Sequence, residues 1–173
     1  MAPLEVGSTI PSGEFATIEY GPELDDPAVC GRPSTVKTDS WKASLGKKVV
    51  IVAVPGSFTP TCSENHIPPF ISGASELKSK GVDEVYVLAS NDVFVQSAWG
   101  RVLKAGDKLK FISDSSLKWL KETGLSQDLS AVGFGERAKR FALIIDDLKV
   151  TYLGVETGPG VGPSGFEAVQ AKL

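Results

Sequence analysis

A chain of 173 residues, 42% hydrophobic and 23% charged, is long enough to bury about two-thirds of the surface its unfolded form exposes, so its core needs no disulfide framework or structural metal. Lysine and arginine number 18 against 21 acidic residues, and the net charge of −3 excludes the basic footprint of a nucleic-acid or anionic-membrane binder. Its two cysteines are too few for a secreted disulfide scaffold, no apolar run approaches the ~20 residues that span a bilayer, and Met1-Ala2-Pro3-Leu4-Glu5 lacks the segments of a secretory leader. The expectation is a protein of a reducing, intracellular compartment whose thiols serve chemistry.

Residues 1 to 47 carry little periodicity beyond a short strand at Phe15 to Tyr20. Gly21 to Pro33, rich in glycine, proline and aspartate, reads as a flexible loop that holds Cys30. Lys48 to Val54 is a continuous β-branched run of the kind buried on both faces of a parallel sheet, and it stops at Pro55-Gly56. A helix near Phe70 to Lys80, closed by Gly81, leads to a second strand at Glu84 to Ser90. Asp92 is placed to cap the next helix, Val93 to Leu103, which is followed by a strand at Leu109 to Ile112 and a short helix at Ser116 to Thr123. Arg140 to Ile145 and Lys149 to Val155 form an antiparallel hairpin about Asp146-Asp147-Leu148, and Gly158 to Gly165 connects it to a last helix at Gly165 to Ala171. This alternation predicts one α/β domain over residues 1–173, a mixed sheet with helices on both faces.

The chemistry concentrates in Pro55-Gly56-Ser57-Phe58-Thr59-Pro60-Thr61-Cys62-Ser63-Glu64. Thr59 and Pro60 suit an N-cap with proline at the first helical position, while Thr61 and Glu64 have the spacing of a capping box. Either register puts Cys62 in the first turn of a helix, where unpaired N–H groups and the positive end of the dipole stabilise a thiolate. The position lies just past the carboxyl end of a strand, where open α/β sheets bind ligands. A lone cysteine is ordinarily a small buried hydrophobe, but the proline and hydroxyl residues around this one favour a reactive thiol. His66, four residues on, shares its face in a regular helix, so a Cys/His hydrolase pair is an alternative, weakened because no Asn or Asp orienter is recognisable. One histidine and two cysteines fall short of a tetrahedral zinc set, and neither metal nor cofactor is expected.

The spacing of Pro55, Thr59 and Cys62 resembles the peroxiredoxin signature, and the string PGSFTPTCS, with His66 and Pro68 after it, is similar to the peroxiredoxin-5 subfamily, which includes fungal alkyl hydroperoxide reductases and peroxisomal membrane-associated proteins. The similarity continues through VYVLASNDVFVQSAWG and RAKRFALIIDD, covering about Val49 to Val155. It implies a thioredoxin fold and reduction of hydrogen peroxide and alkyl hydroperoxides, with Cys62 attacking the peroxide and becoming a sulfenic acid. In the roles the resemblance implies, Thr59 hydrogen-bonds thiolate and peroxide, Pro55 shields the sulfur, and Arg140 completes the pocket with a planar guanidinium that lysine does not reproduce. Arg137 and Lys139 read as exposed charges.

A sulfenic acid needs a second thiol to clear it, and Cys30 is the candidate, an incidental loop thiol being the alternative. The fungal proteins that the sequence resembles carry a resolving cysteine in a comparable loop and form the disulfide between the chains of a dimer, which implies a Cys30–Cys62 bond within a homodimer; the sequence separation by itself leaves an intrachain bond open. Thioredoxin is the expected reductant, with glutathione and glutaredoxin, or a sensor passing oxidation to a partner protein, as alternatives. The absence of C-x-x-C argues against a thioredoxin-like oxidoreductase. Phe58, Phe94 and Trp99 read as dimer contacts or as ordinary core, and Arg101 as support for Arg140 or Glu64 or as a surface charge. Ala171-Lys172-Leu173 is a conservative variant of the peroxisomal Ser-Lys-Leu address, giving a cytoplasmic or peroxisomal home.

Overall fold

The computed structural model describes residues 3–42 and 47–173. In chain order the elements are β1 (Glu14–Thr17), β2 (Ser34–Lys37), β3 (Lys48–Ala53), a π-helical turn (Cys62–His66) running into α1 (Ile67–Ser72), α2 (Ala74–Ser79) and β4 (Glu84–Ala89). There follow α3 (Val93–Val102), β5 (Lys110–Ser113), α4 (Lys118–Glu122), β6 (Ser126–Asp128), β7 (Glu136–Ala138), β8 (Phe141–Asp146), β9 (Lys149–Val155) and α5 (Phe166–Gln170).

The main sheet has seven strands in the order β2-β1-β5-β4-β3-β8-β9. β3, β4 and β5 are parallel, and the remaining neighbours are antiparallel, so the predicted mixed sheet is present. β3 sits between β4 and β8 and is buried on both faces, which is why its sequence shows no alternation. Its residues still divide by face: Val49, Ile51 and Ala53 join Phe15, Trp41 and Trp119 in one core, while Val50, Val52 and Val54 join Cys62, Phe70 and Trp99 in the other. α4 packs into the first core; α1, α2, α3 and α5 contribute to the second. Among the described residues no helix is long and apolar enough to cross a membrane.

Several boundaries differ from the expectations. The first strand ends at Thr17, and the helix expected over Phe70 to Lys80 begins earlier and breaks at Gly73, where a Cβ would run into the Phe166 ring. Asp92 caps α3 as predicted, its Oδ1 accepting from the N–H groups of Phe94 at 2.9 Å and Val95 at 3.1 Å. The β8–β9 turn places Asp147 and Leu148 both at left-handed φ, 49° and 61°, the twist that suits a tight hairpin. Leu173 packs against the second core, while Ala171 and Lys172 stay exposed.

Candidate active site

Three strand ends create the site. β3 terminates at Ala53, and Ser57 in the turn beyond donates its N–H to Asn91 Oδ1 at 3.0 Å and its hydroxyl to Gln96 Oε1 at 2.7 Å. Gln96, fully buried on α3, in turn donates Nε2 to the carbonyls of Val87 at 3.1 Å and Ile112 at 2.6 Å, tying the turn to β4 and β5. Phe58 then takes a left-handed φ of 62° and reverses the chain. The Thr59 carbonyl accepts from Ser63 N–H at 3.0 Å, so Thr59 caps the helix and Pro60 occupies its first position, the proline register of the two the sequence offers. Thr61 is already helical and makes no side-chain cap, so the Thr61–Glu64 capping box does not form. The Thr59 hydroxyl donates to the Gly56 carbonyl at 2.8 Å, and Pro55 is half-buried in the same turn.

Cys62 opens a π turn in which Ile67 N–H donates to the Cys62 carbonyl, and its side chain is fully buried. Arg140 reaches it from far along the chain: Ala53 pairs with Phe141 across β3 and β8, so the residue before Phe141 lies beside the turn that leaves β3. Arg140 Nη1 donates to Cys62 Sγ at 3.3 Å, and its second hydrogen points to His66 Nδ1 at 3.1 Å. A guanidinium only donates, so Nδ1 accepts and the imidazole proton is on Nε2, which donates to the Ser164 carbonyl at 2.9 Å. Burial brings the His66 pKa from 6.5 down to about 4; the Ser164 bond opposes that fall and the Arg140 charge adds to it. His66 is therefore a neutral acceptor for Arg140 at physiological pH and makes no direct bond with the thiol, contrary to a Cys/His hydrolase pair. Ser164 is fixed by Glu156, whose Oε1 accepts from the Gly162 N–H at 2.7 Å, the Ser164 N–H at 2.9 Å and the Ser164 hydroxyl at 2.6 Å. Burial works against the Glu156 charge, yet these donors hold its carboxyl below the ordinary range.

Cys30 and Cys62 are both free thiols, the first exposed and the second buried. The Cys30 loop is not the loose segment its composition suggests. It contains a 3₁₀ turn at Pro22–Asp25, Leu24 is buried with Ile18 and Val93, and Arg101 Nη1 donates to the carbonyls of Leu24 at 2.7 Å and Val29 at 3.2 Å. Arg101 thus serves this loop and supports neither Arg140 nor Glu64. Of the aromatics, Trp99 is buried and donates Nε1 to Ser63 Oγ at 3.0 Å, whereas Phe58 and Phe94 are 51% and 53% exposed. Arg137 lies across the Phe134 ring and donates to its carbonyl, half-buried and not freely solvated.

Gln96, Glu156 and Ser164 lie outside the cysteine motif and carry no signature of their own, and the sequence of Gly158 to Gly165 indicates only a connection to the last helix. Among the described residues no group of three histidine, cysteine or acidic side chains is placed to hold a metal ion.

The arrangement has relatives. The family model described as Redoxin matches residues 5–169. A Malassezia furfur protein named "Putative peroxiredoxin" is 52% identical over 155 residues, 89% of this chain and 92% of its own length. A Lipomyces kononenkoae protein named "Putative peroxisomal peroxiredoxin" is 45% identical over 161 residues, covering 92% of this chain and 95% of its own. The crystal structure of reduced Prx3 from Vibrio vulnificus in complex with H2O2 superposes with a TM-score of 0.81 at 35% identity, covering 98% of this chain and 99% of that one. With a thioredoxin fold, a sequence match over nearly its whole length and a buried cysteine facing an arginine at the end of the central strand, the chain belongs to the peroxiredoxins of the Redoxin family and is a thiol-dependent peroxidase.

Proposed function

We propose that Cys62 is the peroxidatic thiolate, that Arg140, Thr59 and Pro55 form its pocket, and that Cys30 resolves the oxidised sulfur. The Cys62 sulfur attacks one peroxide oxygen and the O–O bond breaks; sulfur keeps that oxygen as a sulfenic acid, and the other leaves as hydroxide or alkoxide and takes a proton to become water or alcohol. The observation that carries this reading is the Arg140 Nη1 to Cys62 Sγ contact of 3.3 Å, a fixed positive charge against a buried sulfur. The Thr59 hydroxyl turns from the Gly56 carbonyl to the peroxide when substrate enters, and Pro55 keeps water off the sulfur.

The Cys30 thiol then displaces hydroxyl from the sulfenic acid, giving a Cys30–Cys62 disulfide and one water, and thioredoxin reduces it by two electrons. The bond forms between the two chains of a homodimer. Two features support this: the Cys30 loop is anchored on its own chain, and Phe58 and Phe94 stand exposed near the motif for a partner to cover. The chain acts as one domain over residues 1–173, in the cytoplasm or in peroxisomes, the latter supported by the name of the Lipomyces relative.

Peroxide turnover with thioredoxin, and in parallel with glutathione and glutaredoxin, tests the scheme on wild type, Cys62→Ser and Cys30→Ser. Cys62→Ser is expected to be inactive with every reductant; Cys30→Ser is expected to retain the first oxidation and lose thioredoxin recycling. Full activity of Cys62→Ser would end the proposal. Only monomer on non-reducing electrophoresis after one equivalent of peroxide would rule out the interchain bond, and faster turnover with glutaredoxin would replace thioredoxin.

A further inference from the structure

α3 touches both thiol-bearing segments. Trp99 holds Ser63, the neighbour of Cys62, by an indole hydrogen bond of 3.0 Å, and Arg101, on the same helix, holds the loop of Cys30. The Arg101 contacts are unusual for an arginine: its Nη1 faces three backbone carbonyls, Leu24 at 2.7 Å, Val29 at 3.2 Å and Asp26 at 3.5 Å, and among the described residues it forms no ion pair. Converging carbonyls neutralise no charge; what they define is a backbone path. That path is reinforced from within, since Asp26 accepts from Ala28 N–H at 2.9 Å through its side chain and from Val29 N–H at 3.0 Å through its carbonyl. On the other side of Cys30, Gly31 lies so close to Ile18 and Leu24 that a Cβ would collide with the Ile18 side chain. Cys30 is thereby left as an exposed side chain directly after Val29, whose N–H and carbonyl are both held, and before Gly31, where there is no room for a side chain.

We propose that Arg101 is a positioning residue for the resolution step: by clamping residues 24 to 29 it presents the Cys30 sulfur to the Cys62 sulfenic acid and so sets how often the disulfide forms before a second peroxide arrives. The proposal rests on Cys30 being the resolving thiol. Two reactions compete for the sulfenic acid. In one the Cys30 thiolate attacks the Cys62 sulfur, the S–O bond breaks and water leaves; in the other the sulfenate attacks a second peroxide, the O–O bond breaks and a sulfinic acid and water or alcohol result. Only the first depends on where Cys30 is held. A loop freed of its clamp spreads Cys30 over many orientations, and such losses of alignment slow a reaction about tenfold or more.

The test is rapid mixing of the reduced protein with peroxide, followed by tryptophan fluorescence, in wild type, Arg101→Met, Arg101→Lys and Cys30→Ser. In Arg101→Met the first phase, proportional to peroxide, is expected to stay within about twofold of wild type, because the clamp lies outside the Cys62 pocket. The second phase, independent of peroxide, is expected to fall about tenfold, and the peroxide concentration that converts half the Cys62 to sulfinic acid, read by mass spectrometry, to fall by the same factor. Arg101→Lys, which keeps the charge but fewer donors, is expected to lie between. Amide exchange at residues 24–31 should rise in Arg101→Met. An unchanged or faster second phase, or equal slowing of both phases, overturns the role of Arg101. If Cys30→Ser itself keeps a normal second phase, the resolving assignment falls first and the role of Arg101 with it; if Cys30→Ser loses that phase and Arg101→Met does not slow it, only the clamp is refuted.

Discussion

His66 and Arg140 share one hydrogen bond, Nη1 to Nδ1 at 3.1 Å, and it is compatible only with an uncharged imidazole. Protonation would place two cations in contact inside the fold. The folded pKa of about 4 against 6.5 for a free histidine means that the unfolded chain takes up a proton which the folded chain refuses. The stabilisation is therefore complete above the unfolded value and is lost as pH falls toward the folded one, at about 1.4 kcal/mol per pH unit. Denaturant unfolding between neutrality and about pH 5 should show wild type losing about 2 kcal/mol more than His66→Gln. Parallel pH dependences for the two proteins would mean that His66 is not held neutral.

Arg140 uses one nitrogen for two partners, the Cys62 sulfur at 3.3 Å and His66 at 3.1 Å, which only works because the guanidinium is planar and its N–H directions are fixed. An ammonium at the end of a lysine keeps the charge but not the alignment. Arg140→Lys should therefore lower the second-order rate of Cys62 oxidation by about 100-fold, the cost of misplacing one preorganised donor. Peroxide consumption by rapid mixing measures it, and a lysine variant within about threefold of wild type would show that charge alone suffices.

The parts legible in the sequence were those with local causes. The β-branched runs of β3, β4 and β8 announce strands buried on both faces, and Thr59-Pro60 announces a helix start that places Cys62 in its first turn. Arg140 is marked only by the family resemblance, because what brings it to Cys62 is the Ala53–Phe141 register, a pairing between segments with no local signature. β2, with the sequence STVK, carries no apolar run because it is an edge strand with mostly exposed side chains. Ser164 meets His66 through a backbone carbonyl, which any residue possesses, and its hydroxyl matters only through Glu156, a partner eight residues away with no motif linking the two. The Cys30 loop looked flexible because glycine, proline and aspartate report the absence of regular structure; they are silent on Arg101, a distant donor that anchors it.

Gln96 is a buried junction whose side chain satisfies the Val87 and Ile112 carbonyls and receives the Ser57 hydroxyl, with no exposure to water. Gln96→Leu preserves the volume but strands these partners, and an unsatisfied buried polar group costs more than a hydrogen bond contributes. A loss of about 3 kcal/mol is expected, read as a lower urea midpoint at constant m. The same change frees the turn before Cys62, so peroxide reactivity should fall even where the protein is fully folded. Stability within about 0.5 kcal/mol of wild type would mean that water takes the place of the amide.

Gly100 tests how tightly α3 is seated. Alanine favours a helix interior over glycine by about 1 kcal/mol, so on propensity alone Gly100→Ala should stabilise the protein. A Cβ at this position, however, would lie 2.8 Å from Phe111 Cδ2 and Cε2. The Phe111 ring cannot simply slide away, because it stands edge-on to Trp99 at 5.7 Å and 83°, and Trp99 holds Ser63 beside Cys62. Overpacking of this kind costs about 1–3 kcal/mol, so the steric term wins and a net loss of about 1 kcal/mol is expected. Because the strain is relieved through Trp99, the substitution should also shift tryptophan fluorescence and slow Cys62 oxidation in the folded protein. A raised melting temperature with unaltered fluorescence would show instead that β5 yields and that α3 is free to move away from it.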